Sequence, residues 1–288
     1  GPSTLHGPRA AQTVVVAGDR VRFLPQAARG GSDAAGVVEE VLPRRNKVSR
    51  FASRRSGGRV EQVLMANLDQ VVVVQSVAQP APAAGLVDRL LVAAERYGVG
   101  GVVCLNKCDL APALAADPRW AHYASIGYGV VRCSAVTGEG LEELRERLRG
   151  RVSVLLGASG VGKSSLLNRL RPDLRLRTGE VLDKTGLGRH TTTRTELFPL
   201  PEGGGLLADS PGLRGFDPWD IAPLELRDHF PDWRESQARC RFRTCLHRDE
   251  PECGVKMAVA RGEIPAWRHE AYLALLADIE SRRERHAP

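Results

Sequence analysis

Up to residue 75 the apolar positions fall in short alternating runs, at residues 12–17, 20–24, 36–42, 60–66 and 70–75, separated by turns rich in Gly, Asp, Pro and Arg. A period of two marks a half-buried strand, so these runs predict four or five short strands in a small β-barrel. From Leu86 the rhythm changes. Residues 86–97 and 141–148 carry the helical period, residues 164–170 open a third helix, and residues 101–105, 130–133, 152–156 and 206–208 are short apolar strands. Helices alternating with strands imply a parallel sheet covered on both faces, with ligands at the carboxyl ends of the strands. After about Phe216 no strand pattern remains. A Cys/His cluster is followed by a long helix over residues 266–285, with Trp267, Leu273, Leu276 and Ile279 near one face.

These textures divide the chain into residues 1–10, read as a tag remnant or disordered, a barrel over 11–75, an α/β domain over 76–215 and a helical domain over 216–288. The 288 residues are ample for such a division. No apolar run approaches the roughly 20 residues of a membrane helix, and no signal-peptide pattern is present, so a cytoplasmic protein with no membrane partner is expected.

Charge sharpens the picture because it is uneven. Of the net +7, residues 1–69 supply +5, from 11 basic and 6 acidic side chains, and the remainder is close to neutral. Arg44, Arg45, Lys47, Arg50, Arg54, Arg55 and Arg59 occur with no acid between Pro43 and Val60. Such a run suits a phosphate backbone, and the OB-fold is the commonest five-stranded barrel that binds nucleic acid.

Gly157-Ala158-Ser159-Gly160-Val161-Gly162-Lys163-Ser164, followed by Ser165, matches the phosphate-loop pattern between a strand and a helix. Its glycines let backbone N–H groups converge on phosphate oxygens beside a helix N-terminus, Lys163 reaches the β- and γ-phosphates, and Ser164 ligates Mg²⁺. Asp209-Ser210-Pro211-Gly212 follows the strand at 206–208, where an Asp holds Mg²⁺ through water and a Gly N–H senses the γ-phosphate. Alone it reads equally as a turn.

Asn106-Lys107-Cys108-Asp109 follows another strand. A carboxylate at Asp109 accepts from both N1–H and N2–H₂ of guanine, a pair of donors that adenine lacks. Cys133-Ser134-Ala135 ends the next strand, placing a backbone N–H where guanine O6 would lie. Together these are the elements of a GTPase in an inverted order, with base elements first and phosphate elements afterwards. Because each sits at the carboxyl end of a strand, joining the old termini and cutting elsewhere leaves the site intact.

Six cysteines in such a chain point away from disulfides. Cys104, Cys108 and Cys133 fall in or beside strands and read as packing thiols. Cys240, Cys245, His247 and Cys253 form a Cys-x₄-Cys-x-His-x₅-Cys cluster able to close a tetrahedral, structural Zn²⁺ site.

On these residues the chain resembles the circularly permuted GTPases, and within them the RsgA (YjeQ/YloQ) family. The resemblance is carried by the basic barrel with Val41-Leu42-Pro43-Arg44-Arg45-Asn46, by Ala66-Asn67-Leu68-Asp69-Gln70, by the permuted motifs, by Gly188-Arg189-His190-Thr191-Thr192-Thr193 and by the Cys/His cluster. It implies a multidomain α/β protein: an N-terminal OB-like barrel, a permuted P-loop GTPase domain and a C-terminal helical zinc domain. It implies GTP/GDP, Mg²⁺ and one structural Zn²⁺ as cofactors, with the 30S subunit and its 16S rRNA as partners of a monomer acting late in small-subunit maturation. GTP hydrolysis would be stimulated by the subunit and followed by release. By resemblance, residues 188–193 are the first switch, Thr192 ligates Mg²⁺, and His190 serves hydrolysis, because Leu213 stands where many GTPases place a water-orienting Gln. The alternatives are a passive RNA-binding or anti-association factor holding nucleotide as a structural ligand, and an ATP-using P-loop enzyme.

Overall fold

The computed structural model describes residues 15–26, 35–53, 59–82, 85–174, 197–208 and 221–285. Its centre is a six-stranded sheet in the order β7-β6-β5-β8-β10-β9. These strands are β5 (Gln70–Ser76), β6 (Gly100–Asn106), β7 (Gly129–Arg132), β8 (Val152–Leu156), β9 (Leu197–Pro199) and β10 (Leu206–Ala208). All neighbours run parallel except β9, which pairs antiparallel with β10 at one edge.

β5 is buried throughout, since β-branched Val71–Val74 must serve both faces of a covered sheet. Val72 and Val74 pack with Leu141, Leu144 and Leu148 of α4 (Leu141–Leu148) and Leu166, Leu167 and Leu170 of α5 (Lys163–Leu170). Val71 and Val73 face α1 (Leu86–Tyr97) and α3 (Pro118–Ser125), through Leu90, Leu91, Trp120 and Tyr123. Helix α1 ends as its sequence dictates: Gly98 adopts φ 65° and its N–H caps the carbonyls of Ala94 and Glu95.

The first part of the chain departs from the expected strands. Two antiparallel pairs form, β1 (Val21–Gln26) with β2 (Ala35–Val41) and β3 (Lys47–Ser53) with β4 (Arg59–Ala66). Strand β3 runs through the arginine-rich stretch read as a turn, pairing with β4 from Lys47 opposite Ala66 to Ser53 opposite Arg59, with Val48 in the core. Residues 15–17 form no strand beyond a single bridge from Ala17 to Met65. Residues 70–75, expected in the barrel, are instead β5, hydrogen-bonded on both sides within the central sheet. The parallel sheet therefore starts at Gln70.

The C-terminal part is helical, with α6 (Pro223–Leu226), α7 (Arg234–Gln237), α8 (Gly254–Ala260) and α9 (Ala266–Arg285). Its core stacks Phe230 on Trp233 at 4.5 Å and sets Tyr272 edge-on to both. The buried stripe of α9 comprises Arg268, Tyr272, Leu275, Leu276 and Ile279, whereas Trp267 turns to the core that covers the central sheet.

Arg268, 1% exposed, joins the two parts. Its guanidinium bonds Asp88 of α1 and grips Asp232 with Nε and Nη2 at 3.0 and 3.2 Å, while lying 4.4 Å over the Phe230 ring. Tyr123 donates to Asp88 at 2.7 Å, and His122 Nε2 lies 3.3 Å from Asp232. Arg89 pairs with Asp278 in the opposite charge sense. The helical module is thus docked on α1 and α3.

Candidate nucleotide site and metal centre

The turn from β8 into α5 carries the phosphate loop, and its glycines are required by close approach. A Cβ on Gly157 (φ 151°) would meet the Val74 carbonyl at 2.2 Å, and one on Gly162 (φ 99°) would meet Asn106 Nδ2 at 2.2 Å. Ser159 and Gly160 are exposed, Val161 is buried in the core below, and Ala158, Ser164 and Ser165 are half-buried. Lys163 Nζ donates to the carbonyls of Gly157 and Ala158 at 2.9 and 2.8 Å, so the ammonium lies over the loop it is expected to serve.

Asn106 unites the base and phosphate elements. Its Nδ2 donates to Val161 in the phosphate loop at 2.9 Å, and its Oδ1 accepts from the Ala135 N–H at 3.1 Å. Lys107 adopts φ 63°, which turns the chain out of β6, and its Nζ donates to the carbonyls of Gly160 (2.8 Å) and Gln79. Asp109 is exposed at the same edge. Ser134 is fully buried and its Oγ accepts from Val136 and Thr137, shaping the loop. Of the 133–135 element, from which a backbone N–H is expected at guanine O6, the Ala135 N–H is given to Asn106 in this structure. Sheet order brings Asn106, Lys107, Asp109, Ser134, Ala135 and residues 157–165 to one edge, although the two groups are about 50 residues apart in the chain. Gly188, His190, Thr192, Asp209, Gly212 and Leu213 lie outside the described residues.

Cys104, Cys108 and Cys133 are buried free thiols, and the sulfurs of Cys104 and Cys133 touch at 3.4 Å across β6 and the end of β7. Burial and the Cys133 sulfur hold the Cys104 thiol well above its ordinary range, which suits packing rather than reactivity.

In the helical module Cys240, Cys245, His247 and Cys253 bring their ligand atoms within 4.8 Å of one another. His247 Nδ1 lies 3.5, 3.4 and 3.4 Å from the three sulfurs, and Cys240 Sγ lies 3.9 Å from Cys253 Sγ. A tetrahedron with Zn–S of about 2.3 Å and Zn–N of about 2.0 Å has edges of roughly 3.5–3.8 Å, so this donor set fits the ion. Burial pulls His247 down to about 4, which keeps the ring neutral at neutral pH with one nitrogen available as a ligand. Burial also pushes the Cys245 thiol up to about 12, so a thiolate there requires a cation.

The residues around the cluster carry no recognisable motif. His247 Nε2 meets Gln237 Oε1 at 3.3 Å, and Gln237 Nε2 donates to Asp228 at 2.7 Å, a chain that assigns the ring proton to Nε2. Glu250 accepts the N–H groups of Leu246 and Arg248. Arg268, Asp88 and Asp232 were equally unmarked, although an arginine on the buried stripe of α9 is itself a signal of a desolvated ion pair.

A family model described as RsgA GTPase matches residues 41–219. A "Small ribosomal subunit biogenesis GTPase RsgA" from Geobacillus kaustophilus (strain HTA426) is 41% identical over 272 residues, covering 93% of this chain and 86% of the relative. One of the same name from Bacteroides fragilis is 37% identical over 295 residues, covering 100% and 91%. Among solved structures, YjeQ from Thermotoga maritima aligns with a TM-score of 0.71 at 37% identity, covering 93% of this chain and 85% of that one. YloQ, described as a circularly permuted GTPase, aligns at 0.70 and 32% identity, covering 95% and 84%.

Proposed function

The chain belongs to the RsgA GTPase family, and from that premise we propose how its own residues bind and hydrolyse GTP during small ribosomal subunit biogenesis. The protein is a GTP hydrolase. Asp109 takes guanine N1–H and N2–H₂, and the Ala135 N–H, shared with Asn106, reaches O6 beside Ser134. The backbone of residues 157–165 cradles the phosphates, and Lys163 exchanges the carbonyls of Gly157 and Ala158 for the β- and γ-oxygens. Mg²⁺ is held by Ser164 and Thr192, with Asp209 acting through water. Gly212 senses the γ-phosphate and His190 supports hydrolysis. Cys240, Cys245, His247 and Cys253 hold one structural Zn²⁺, which fixes the fold of their module.

The observation that supports this reading most directly is Asn106, whose two hydrogen bonds hold a guanine-type element against a phosphate loop at one sheet edge. Three parts follow: an RNA-binding OB-like domain, the permuted GTPase domain now beginning at Gln70, and the zinc module. The partner is the 30S subunit through its 16S rRNA, met by a cytoplasmic monomer that leaves after hydrolysis. Among the described residues no helix is long and apolar enough to cross a membrane.

The test is phosphate release from GTP and from ATP, with and without purified small subunits. The reading expects GTP turnover, slow alone and raised by the subunit. No stimulation would favour the passive RNA-binding alternative, and a preference for ATP would favour the P-loop ATPase.

A further inference from the structure

Residues 221–239 bear no motif, yet they wrap the Cys/His cluster. Arg227, in the 3₁₀ turn Arg227–His229, donates from Nη1 to the Cys245 carbonyl at 3.0 Å. The side chain is only 16% exposed, and its buried Nε has no hydrogen-bond partner, the nearest carboxylate oxygen being Asp228 Oδ1 at 3.7 Å. The neighbouring carbonyls of the ligand loop are held likewise: Tyr272 O–H donates to Leu246 at 2.9 Å and His269 Nε2 meets the His247 carbonyl at 2.8 Å. His247 takes φ 58°, a backbone state that these three bonds over-determine.

Three thiolates and a neutral imidazole around Zn²⁺ leave the centre with a net charge of −1. A buried net charge without a partner is unfavourable, so such a centre calls for a cation beside it. The arginines beside and between the ligands are exposed: Arg241 pairs with Glu252, Arg248 pairs with Glu280, and Arg239 and Arg243 lie at the surface. Of the nearby carboxylates, Glu250 is taken up by two backbone N–H groups and Asp228 by Gln237. Arg268 is more deeply buried but is spent on Asp88 and Asp232, so among the described residues Arg227 is the largely buried arginine that bonds the ligand loop.

We propose that Arg227 is the outer-sphere counter-ion of the zinc centre, holding the ligand loop through the Cys245 carbonyl and offsetting the surplus negative charge of the three thiolates. This rests on reading the cluster as a zinc site. Arg227 is a positioning residue, since it touches the loop and not the ion. It also lies on the segment that leads from the switch element at 209–212 to the first zinc ligand.

The experiment uses the full chain loaded with zinc, with the metal's dissociation constant and release rate measured against a chromogenic chelator for the parent, Arg227→Gln and Arg227→Lys. We expect Arg227→Gln to weaken zinc binding about tenfold or more. Arg227→Lys, which keeps the charge, stays close to the parent. In the cobalt-substituted proteins the thiolate-to-cobalt charge-transfer band moves to lower energy in Arg227→Gln and holds in Arg227→Lys, a readout that a purely structural role would not move. Zinc binding by Arg227→Gln within about twofold of the parent would overturn the proposal. So would equal weakening in both variants, because the effect would then belong to the hydrogen bond alone. Should Arg227→Gln fail to fold, Arg227→Lys decides by itself, since the proposal requires it to retain zinc and the parent band. A parent that takes up no zinc would instead sink the zinc reading itself.

Discussion

In the proposed function Asp109 carries the choice of base, and the residue is exposed in the turn that follows β6. Replacing it with Asn exchanges one acceptor for an N–H donor. One charge-assisted hydrogen bond is lost and the other becomes a neutral one, a loss of about 2–4 kcal/mol in all, so GTP affinity should fall roughly 30- to 10³-fold in a nucleotide-binding titration. Xanthosine triphosphate, which presents an acceptor at C2, should bind the variant better than GTP does. His190→Ala should behave differently: nucleotide affinity is kept and subunit-stimulated phosphate release is lost. Undiminished stimulation would return hydrolysis to some other group. Asp109 was legible because a base-reading carboxylate requires fixed spacing from a strand end, whereas His190 rests on the resemblance and lies outside the described residues. Gln79 was not, since it serves Lys107 through a backbone carbonyl, which any residue possesses.

At the level of elements, α1, α4 and α5 and the strands β6, β7, β8 and β10 were legible in the sequence pattern, whereas α3 was not. Leu86–Tyr97, Leu141–Leu148, Val152–Leu156 and Leu206–Ala208 coincide with their periodic runs, because each buries one clear face. Strand β3 and the edge strand β9 escaped, the first since charged and polar residues fill most of it, the second since its two apolar residues run straight into Pro199. Arg268 escaped for another reason: pairing across sequence separations of 180 and 36 residues leaves no local trace. Burial raises Asp88, whereas hydrogen bonds from His122 and Arg268 hold Asp232 below the usual carboxylate range despite its burial. The signs therefore oppose. Asp232 contributes stability that is full above the unfolded carboxylate value and is lost as pH falls through its folded value. Asp88, with a raised folded value, favours the fold less as pH rises through it. Arg268→Met should destabilise the protein by about 3–5 kcal/mol in urea unfolding, because it strands two buried carboxylates. Adding Asp88→Asn and Asp232→Asn should recover much of that loss. The single variant should also gain stability as pH falls towards the carboxylate range, and a flat pH profile would refute this account of the pair.

Across the whole molecule the +5 of the first 69 residues is more divided than its total suggests. Arg44 grips Asp19, whose side chain is fully buried, Arg45 pairs with Asp69 and Lys47 pairs with Glu61. Asp69 also accepts the N–H of Val152 at 2.8 Å, so Arg45 helps to seat the strand that leads into the phosphate loop. Arg44→Gln should accordingly lower the melting temperature, since it uncovers Asp19. Arg54→Gln with Arg55→Gln should leave melting unchanged and weaken rRNA binding, reducing the salt slope by about one for each phosphate no longer neutralised. Equal loss of RNA affinity in both variants would contradict that division. The docking of the helical module on α1 and α3 likewise sets it beside the β5–β6–β7 half of the sheet, whereas β10, the strand that precedes it in the chain, lies in the other half.

That footing sets a rule for taking the protein apart. A fragment ended before residue 221 keeps Asp88 and the Tyr123 hydroxyl in place and discards their cation, together with the apolar cover of Val92. Such a fragment should express poorly as it stands, for a reason unrelated to nucleotide. Neutralising one side chain, Asp88→Asn, is the repair that should make an isolated GTPase unit obtainable, with soluble yield as the measure.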